Sequence, residues 1–297
     1  KSSAASDVYK RQGARSMVTM KQVGLNVASD PLMSLEYVGI KGGMVILVAD
    51  DPGPISSQTE QDTRHFSRFS KLPCFDPSSA QEAYEMIQEA FEYSEKYGTP
   101  VFLRPTTRVC HGYASIMVKD ETEYTHHQPE GFIKDSKRWV IFPRLSFMNH
   151  KKIEARNQEL SDIFSSYEKN TIHPSCDAFK DSKKGIATGG ISYTYTMETL
   201  KKTGMVKTLK IATPHPFPEK LAVDFLSGLD EVLCLEELDP VIERELIYIC
   251  GKYHLPTRIN GKLSGHTACA GENTRDTITT YINTFPVSYT HLRAHET

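Results

Sequence analysis

GMVILVAD, residues 43–50, is a continuous apolar run that closes on an acid. A run of that length without alternation has the pattern of a strand covered on both faces, as in a parallel sheet. Its carboxyl end opens into a loop, and in such sheets ligand-binding loops lie beyond the carboxyl ends. Downstream, KLPCFDP (71–77) reads as a short strand. Ser79 and Glu82 then have capping-box spacing, and Ala80, Ala83, Tyr84, Ile87, Ala90, Phe91 and Ser94 recur every three or four residues until Gly98, which predicts a helix. TPVFLR (99–104) follows as another strand. The order strand, loop, short helix, strand, helix, strand is that of half a doubly wound α/β domain.

Further along, residues 115–182 turn charged and polar, with a basic-acidic helix expected around 151–169 and the only tryptophan, Trp139, in RWVIFPRL as a strand-like crossing. A second alternation starts at KKGIATGG (183–190). VKTLKIA (206–212) and DEVLCLEEL (230–238) supply strands. Pro218 sits near the start of a helix expected over 216–229. Asp239-Pro240 opens another helix, with Val241, Ile242, Leu246 and Ile249 on one face. The expected organisation is therefore a first α/β domain over 13–115, a connector over 116–182 and a smaller α/β domain over 183–285.

The two ends are excluded from this reading. SSAASDVYKRQ (2–12) and VSYTHLRAHET (287–297) read as in-frame translations of the two adapters of a sequencing library, so 1–12 and 286–297 are expected to be non-native. His291 and His295 are then not metal ligands, nor Lys10 and Arg11 a nucleic-acid arm.

With 39% hydrophobic and 24% charged residues and a formal net charge of −2, the composition is that of a soluble globular protein. It gives no electrostatic reason to expect nucleic acid or an anionic membrane as a partner. No apolar stretch approaches a bilayer-spanning length. The six cysteines are scattered with no C-x-x-C pair, which points to reduced thiols and, by default, the cytoplasm.

The densest concentration of chemistry is DDPGPISSQTEQDTRHFSRF (50–69). Pro52, Gly53 and Pro54 make a stiff turn, and Ser56, Ser57, Gln58, Glu60, Gln61, Asp62, Arg64 and His65 offer donors and acceptors in a small space. Arg64 is suited to a substrate carboxylate and His65 to proton exchange near neutral pH. Equally, Asp62 or Thr63 caps a helix and Glu60 with Arg64 forms an i,i+4 pair; both readings stand. MKQVGLNVASDPLMS (20–34) offers Lys21 and Asn26 to a ligand before a helix expected to start at Asp30-Pro31, though a solvated lysine and a turn asparagine explain them as well. TTRVCH (106–111) puts Arg108 and His111 on the same rim. ATGGISY (187–193) follows a strand and opens a helix, a weak anion-cradle signal. The acids of CLEELDP are expected to cap the helix after them. GIKGG (39–43) lacks the phosphate-loop ending, and no G-x-S-x-G elbow is present.

ADDPG, then SSQ, EQD and RH, in the setting of residues 23–111, is very similar to the large subunit of indolepyruvate:ferredoxin oxidoreductases, thiamine-diphosphate-dependent members of the 2-oxoacid:acceptor oxidoreductases. The similarity continues through ATGGISY, TPHPFPEKL and EELDPVIE. It implies a truncated pyrimidine-binding domain, doubly wound, followed by a transketolase-C-like α/β domain. It also implies oxidative decarboxylation of an aryl 2-oxo acid with coenzyme A as acyl acceptor and ferredoxin as electron acceptor. Thiamine diphosphate, Mg2+ and 4Fe-4S clusters would be the cofactors, and a smaller beta subunit a partner. By the same resemblance Lys21 and Asn26 bind the cofactor, and Ser57, Gln58, Gln61, Asp62, Arg64 and His65 bind substrate. The family's activating Glu would lie upstream of Gly13, and its diphosphate–magnesium and cysteine-rich segments beyond Phe285. The 297 residues alone are then expected to be inactive. The alternatives are an oxidoreductase for pyruvate, 2-oxoglutarate or a branched-chain acid, or a two-domain metabolite-binding protein without chemistry.

Overall fold

The computed structural model describes residues 12–124, 128–129 and 131–285; apart from Gln12, the two segments read as adapter lie outside the described residues. The first sheet is wholly parallel, with β1 (Ser16–Lys21), β2 (Met44–Ala49), β4 (Val101–Leu103) and β3 (Cys74–Phe75) side by side in that order. Val45, Ile46 and Val48 of β2 have no exposed surface. The opening run is unbroken by polar residues because helices cover both faces. On one, α1 (Gln22–Val38) lays Leu25, Leu32 and Leu35 against Val18, Ile46 and Val48. On the other, Met86 and Ala90 of α3 (Ala80–Tyr97) meet Val45 and Leu103.

The capping-box residues start α3 as the spacing predicts: the Ser79 hydroxyl accepts from Glu82 N, and Gly98 ends the helix in the left-handed region at φ 61°. Helix α1 departs from expectation. It begins at Gln22, not at Asp30, and carries Pro31 inside. The buried leucines flank the proline on both sides, so packing holds one continuous helix. The carbonyl that Pro31 leaves free belongs to Val27, a solvent-facing residue where water can take the bond. Strand β1 carries no unbroken apolar run and is not anticipated by the sequence.

Within the stretch read as a connector, the described residues of 113–142 are mostly exposed, and Trp139 ends a one-turn helix (Ser136–Trp139), not a strand-like crossing. The helix that follows, α4 (Pro143–Phe164), starts eight residues before the expected 151. It sends Leu160 and Phe164 into the first core beside Phe75 and Met86.

The second sheet has the order β5-β7-β6-β8-β9: β5 (Thr171–His173), β7 (Lys207–Ile211), β6 (Lys184–Gly189), β8 (Glu231–Leu235) and β9 (Arg258–Asn260). Only β5 runs antiparallel to its neighbour. It enters the sheet upstream of Lys183, where the second alternation was expected to begin. Helices α6 (Glu219–Leu226) and α7 (Val241–Tyr253) pack on one face through Phe225, Leu246 and Ile249. On the other face lie α5 (Gly190–Thr203) and α8 (Arg275–Thr284), through Leu200, Ile278 and Ile282. Among the described residues no helix is long and apolar enough to cross a membrane.

The sheets join through backbone along β3 and the residue after it, paired with the turn beyond the carboxyl end of β7. Cys74 N donates to His215 O at 2.7 Å and Asp76 N to Ala212 O at 2.8 Å. Asn170 clamps the same turn, its side chain accepting from Ala212 N and donating to Thr213 Oγ1. The buried Lys210–Glu82 pair and a bond from Thr194 to Ser78 O add to the contact. The strand ends of both sheets therefore converge on one polar zone.

Candidate active-site cleft

Each strand of the first sheet nearest that zone ends on a charge. Asp50 follows β2, Asp76 follows β3 and Arg104 follows β4. Parallel strands in register bring the three together: Arg104 Nε donates to Asp50 Oδ2 at 2.7 Å, and its Nη1 reaches both Asp76 oxygens at 3.2 Å. Asp50 also accepts from Thr63 N and Oγ1, fixing the start of α2 (Thr63–Ser70). All three charged residues are buried. Burial pushes the Asp50 and Asp76 carboxyls up even against the Arg104 charge.

Arg64, in the first turn of α2, extends the network to the second sheet. Its Nε and Nη2 grip Asp62, Nη1 donates to Glu236 Oε2 at 2.7 Å, and Nη2 also reaches the carbonyls of Glu237 and Asp239. Asp62 is desolvated, yet the Arg64 and Arg104 charges hold its carboxyl well below the usual range. Glu236 accepts from Val241, Ile242 and Glu243 N, so it caps α7 as the CLEELDP reading expects. Asp62 caps α2 through Arg64 N. The capping reading of Asp62 therefore holds. Arg64 does not point a free fork at solvent: it is 2% exposed and spent on protein acceptors. His65 is half-exposed, 3.2 Å from Asp239.

Above this layer lies the loop 51–61. Asp51 folds it by accepting from Ile55 N, Ser56 N and Thr107 Oγ1. Burial raises that carboxyl, but the hydrogen bonds, Ser56 N foremost, outweigh it and hold the group at about 2. Lys21, at the end of β1, donates to Ser56 O, Ser56 Oγ and Ser57 Oγ. Gln22 Nε2 donates to Thr59 O and Asn26 Nδ2 to Gln61 Oε1 at 2.9 Å. The structure thus brings Lys21, Asn26, Ser57 and Gln61 into one accessible polar rim, with Gln58 exposed beside them.

The opposite wall is the loop 261–273, which sequence reading did not single out. Gly271 N donates to Glu60 Oε1 at 3.1 Å, and Arg108 forms a two-point pair with Glu272. A Cβ at Gly53 (φ 60°) would stand 3.1 Å from Gly271 Cα and Glu272 N, so the glycine permits this approach. Asn273 N donates to Glu237 Oε1 at 2.9 Å, and burial pushes that carboxyl up. His111 is exposed at the rim. The weak anion cradle of ATGGISY is occupied from within: the Asp76 carboxylate sits against Gly189 and Gly190. Sequence reasoning missed Arg104 and Asp76. The signal was available, since each apolar run of the first half ends on a charge.

Among the described residues no three His, Cys, Asp or Glu are grouped to hold a metal ion, and all six cysteines are free. The donor set therefore does not fit magnesium or an iron–sulfur cluster.

A parallel and a mixed α/β sheet meeting near their strand ends define a class, the fold shared by 2-oxoacid oxidoreductases and transketolases. The chain superposes on 2-oxoglutarate:ferredoxin oxidoreductase from Magnetococcus marinus, solved with 2-oxoglutarate, coenzyme A and succinyl-CoA bound, with a TM-score of 0.64 at 14% identity over 95% of this chain and 55% of that one. It also superposes on a split-gene transketolase, an inactive beta4 tetramer, at 0.51 and 12% identity over 90% and 74%. No protein-family model matches. The sequence is more specific: the chain is a relative of indolepyruvate oxidoreductase subunit IorA. It is 41% identical to that subunit of Methanothermobacter thermautotrophicus over 255 residues, 85% of this chain and 40% of the relative. For Pyrococcus abyssi the figures are 39%, 84% and 39%, and for Methanothermobacter marburgensis 36%, 96% and 45%. The chain spans about two-fifths of the length of these relatives.

Proposed function

We propose that the chain is part of an enzyme that oxidatively decarboxylates an aryl 2-oxo acid such as indolepyruvate, passing the acyl group to coenzyme A and electrons to ferredoxin, in the cytoplasm and with a smaller partner subunit. The observation that carries this reading is the 41% identity to an indolepyruvate oxidoreductase subunit across 85% of the chain. Thiamine diphosphate would supply the carbanion chemistry when bound. In this reading Lys21 and Asn26 face the cofactor, while Ser57, Gln58, Gln61 and His65 face the substrate from the same rim. Asp62 and Arg64 lie beneath and fix the position of that rim, because their charges already meet protein partners. No step is assigned to magnesium or an iron–sulfur cluster on these residues. The two domains of this reading are centred on 13–115 and 183–285, with α4 of the intervening 116–182 packed into the first core and β5 joined to the second sheet.

The test is a chimera in which these residues replace the matching stretch of the Methanothermobacter thermautotrophicus subunit, expressed with its partner subunit. Coenzyme A-dependent dye reduction should proceed with indolepyruvate and exceed that with pyruvate or 2-oxoglutarate. A chimera that folds, assembles and prefers an aliphatic acid would overturn the aryl assignment. The 297-residue chain by itself should show no turnover.

A further inference from the structure

A cavity lies at the end of the first sheet opposite the cleft. It has a volume of about 680 Å3 and is bounded by Gly39 and Ile40, which precede β2, and by Gly98, which precedes β4. The rim carrying Lys21 is at the carboxyl end of β1, a strand length of about 20 Å away. One wall of the cavity is α4, where Leu145, Asn149, Lys152, Arg156 and Glu159 follow one another at intervals of four, three, four and three and so share a face. The apolar lining comes from half-buried Val38 and Leu145, with Ile40 and Ile153 buried alongside them.

The rim is cationic. Lys96 closes α3, Lys137 and Arg138 come from the one-turn helix, and Lys152 comes from α4. Arg156 is neutralised by Glu36 at 2.6 Å. Of the other carboxylates, Asp135 accepts from Lys137 N at the start of its own helix and Glu159 from Tyr97 Oη. Arg138 donates to Ile40 O and lies over the Trp139 ring, so its contacts are a carbonyl and an aromatic face. Four cations against two carboxylates leave an excess of two positive charges around an apolar lining. That is the complement of a ligand with a planar apolar part and several phosphates. We propose that this cavity binds a nucleoside polyphosphate, its base against Val38 and Leu145 and its phosphates along Lys96, Lys137 and Lys152. The site is separate from the cleft and does not rest on the function proposed above.

Calorimetric titration of the full chain with the sodium salt of ATP at about 50 mM ionic strength, where such contacts are little screened, tests this. One-to-one binding is expected, weakened at least about tenfold in the charge-reversed variant Lys137→Glu/Lys152→Glu, which alters only exposed side chains. Lys21→Glu, at the opposite end of the sheet, should leave the affinity within about twofold, a difference under 0.5 kcal/mol. Adenosine and inorganic triphosphate, each carrying half of the recognition, should both bind more weakly than ATP. The proposal is overturned by absence of ATP binding, by an unchanged affinity in the double variant, or by loss of binding in Lys21→Glu. Triphosphate or adenosine binding as tightly as ATP also overturns it.

Discussion

Arg64 on α2 and Glu236 at the end of β8, 172 positions apart in the chain, form a buried ion pair at 2.7 Å that ties the two sheets together. Neither side is solvated, since both side chains are 2% exposed. Removing one partner leaves the other charge buried without compensation, so Arg64→Ala should destabilise the fold by about 3–5 kcal/mol. Glu236→Gln should cost less, because an amide oxygen can still accept from the α7 amides. Urea unfolding of both variants checks the order. A stable Arg64→Ala protein that loses only ligand binding would return Arg64 to the substrate role.

That pair marks where the sequence was legible and where it was not. The unbroken run 43–50 and the spacing from Ser79 to Gly98 identify β2 and α3, because their determinants are local. The caps at Asp62 and Glu236 were legible for the same reason. Pro31 misled because the leucines that carry α1 past it owe their effect to a sheet formed by residues far along the chain. Arg64 misled differently: its acceptors Glu236, Glu237 and Asp239 lie beyond any local pattern. A charged residue in a polar loop reads as a binding group until its distant partners are placed.

His215 sets part of the acid limit of stability. Its ring is half-buried with Nε2 shut off from solvent, and that desolvation first, then the charges of Arg68, Arg156 and Lys71, lower its pKa to about 3. Below the unfolded value of about 6.5 the unfolded chain takes up a proton that the folded chain refuses, so stability falls as pH drops from about 6.5 toward 3. The raised carboxyls Asp50, Asp76 and Glu237 act in the opposite sense, so a difference measurement is needed. His215→Leu should remove about 2 kcal/mol of the stability change between pH 6.5 and 4.5. Denaturation curves at the two pH values measure this, and an undiminished change would show that His215 is not the group responsible.

Lys21 should control the order of the loop 51–61 more than global stability. Its contacts to Ser56 and Ser57 are exposed, and exposed pairings are worth about 1 kcal/mol or less. Lys21→Ala should leave the melting temperature nearly unchanged while speeding amide exchange at Ser57 and Gln58. Asp51→Asn should speed that exchange and also lower the melting temperature, because it weakens the acceptor of two loop amides and of Thr107, at about 1–3 kcal/mol. Exchange rates equal to the parent in Lys21→Ala would mean that Asp51 alone holds the loop.

Gly190 and Gly228 separate backbone strain from crowding. Both have positive φ, 52° and 80°, so alanine is strained at either by roughly 1–2 kcal/mol. Around Gly228 a Cβ meets nothing within 4 Å, whereas at Gly190 it would stand 3.2 Å from Asp76 Oδ1. Asp76 cannot simply withdraw, since Arg104 holds both of its oxygens. Gly190→Ala should therefore be the more destabilising, by about 1 kcal/mol or more, the cost of disturbing a buried charged hydrogen bond. If thermal unfolding found the two variants equal, the Asp76 carboxylate would have to be free to move away from the start of α5, and the rigid seat assigned to it between the sheets would be wrong.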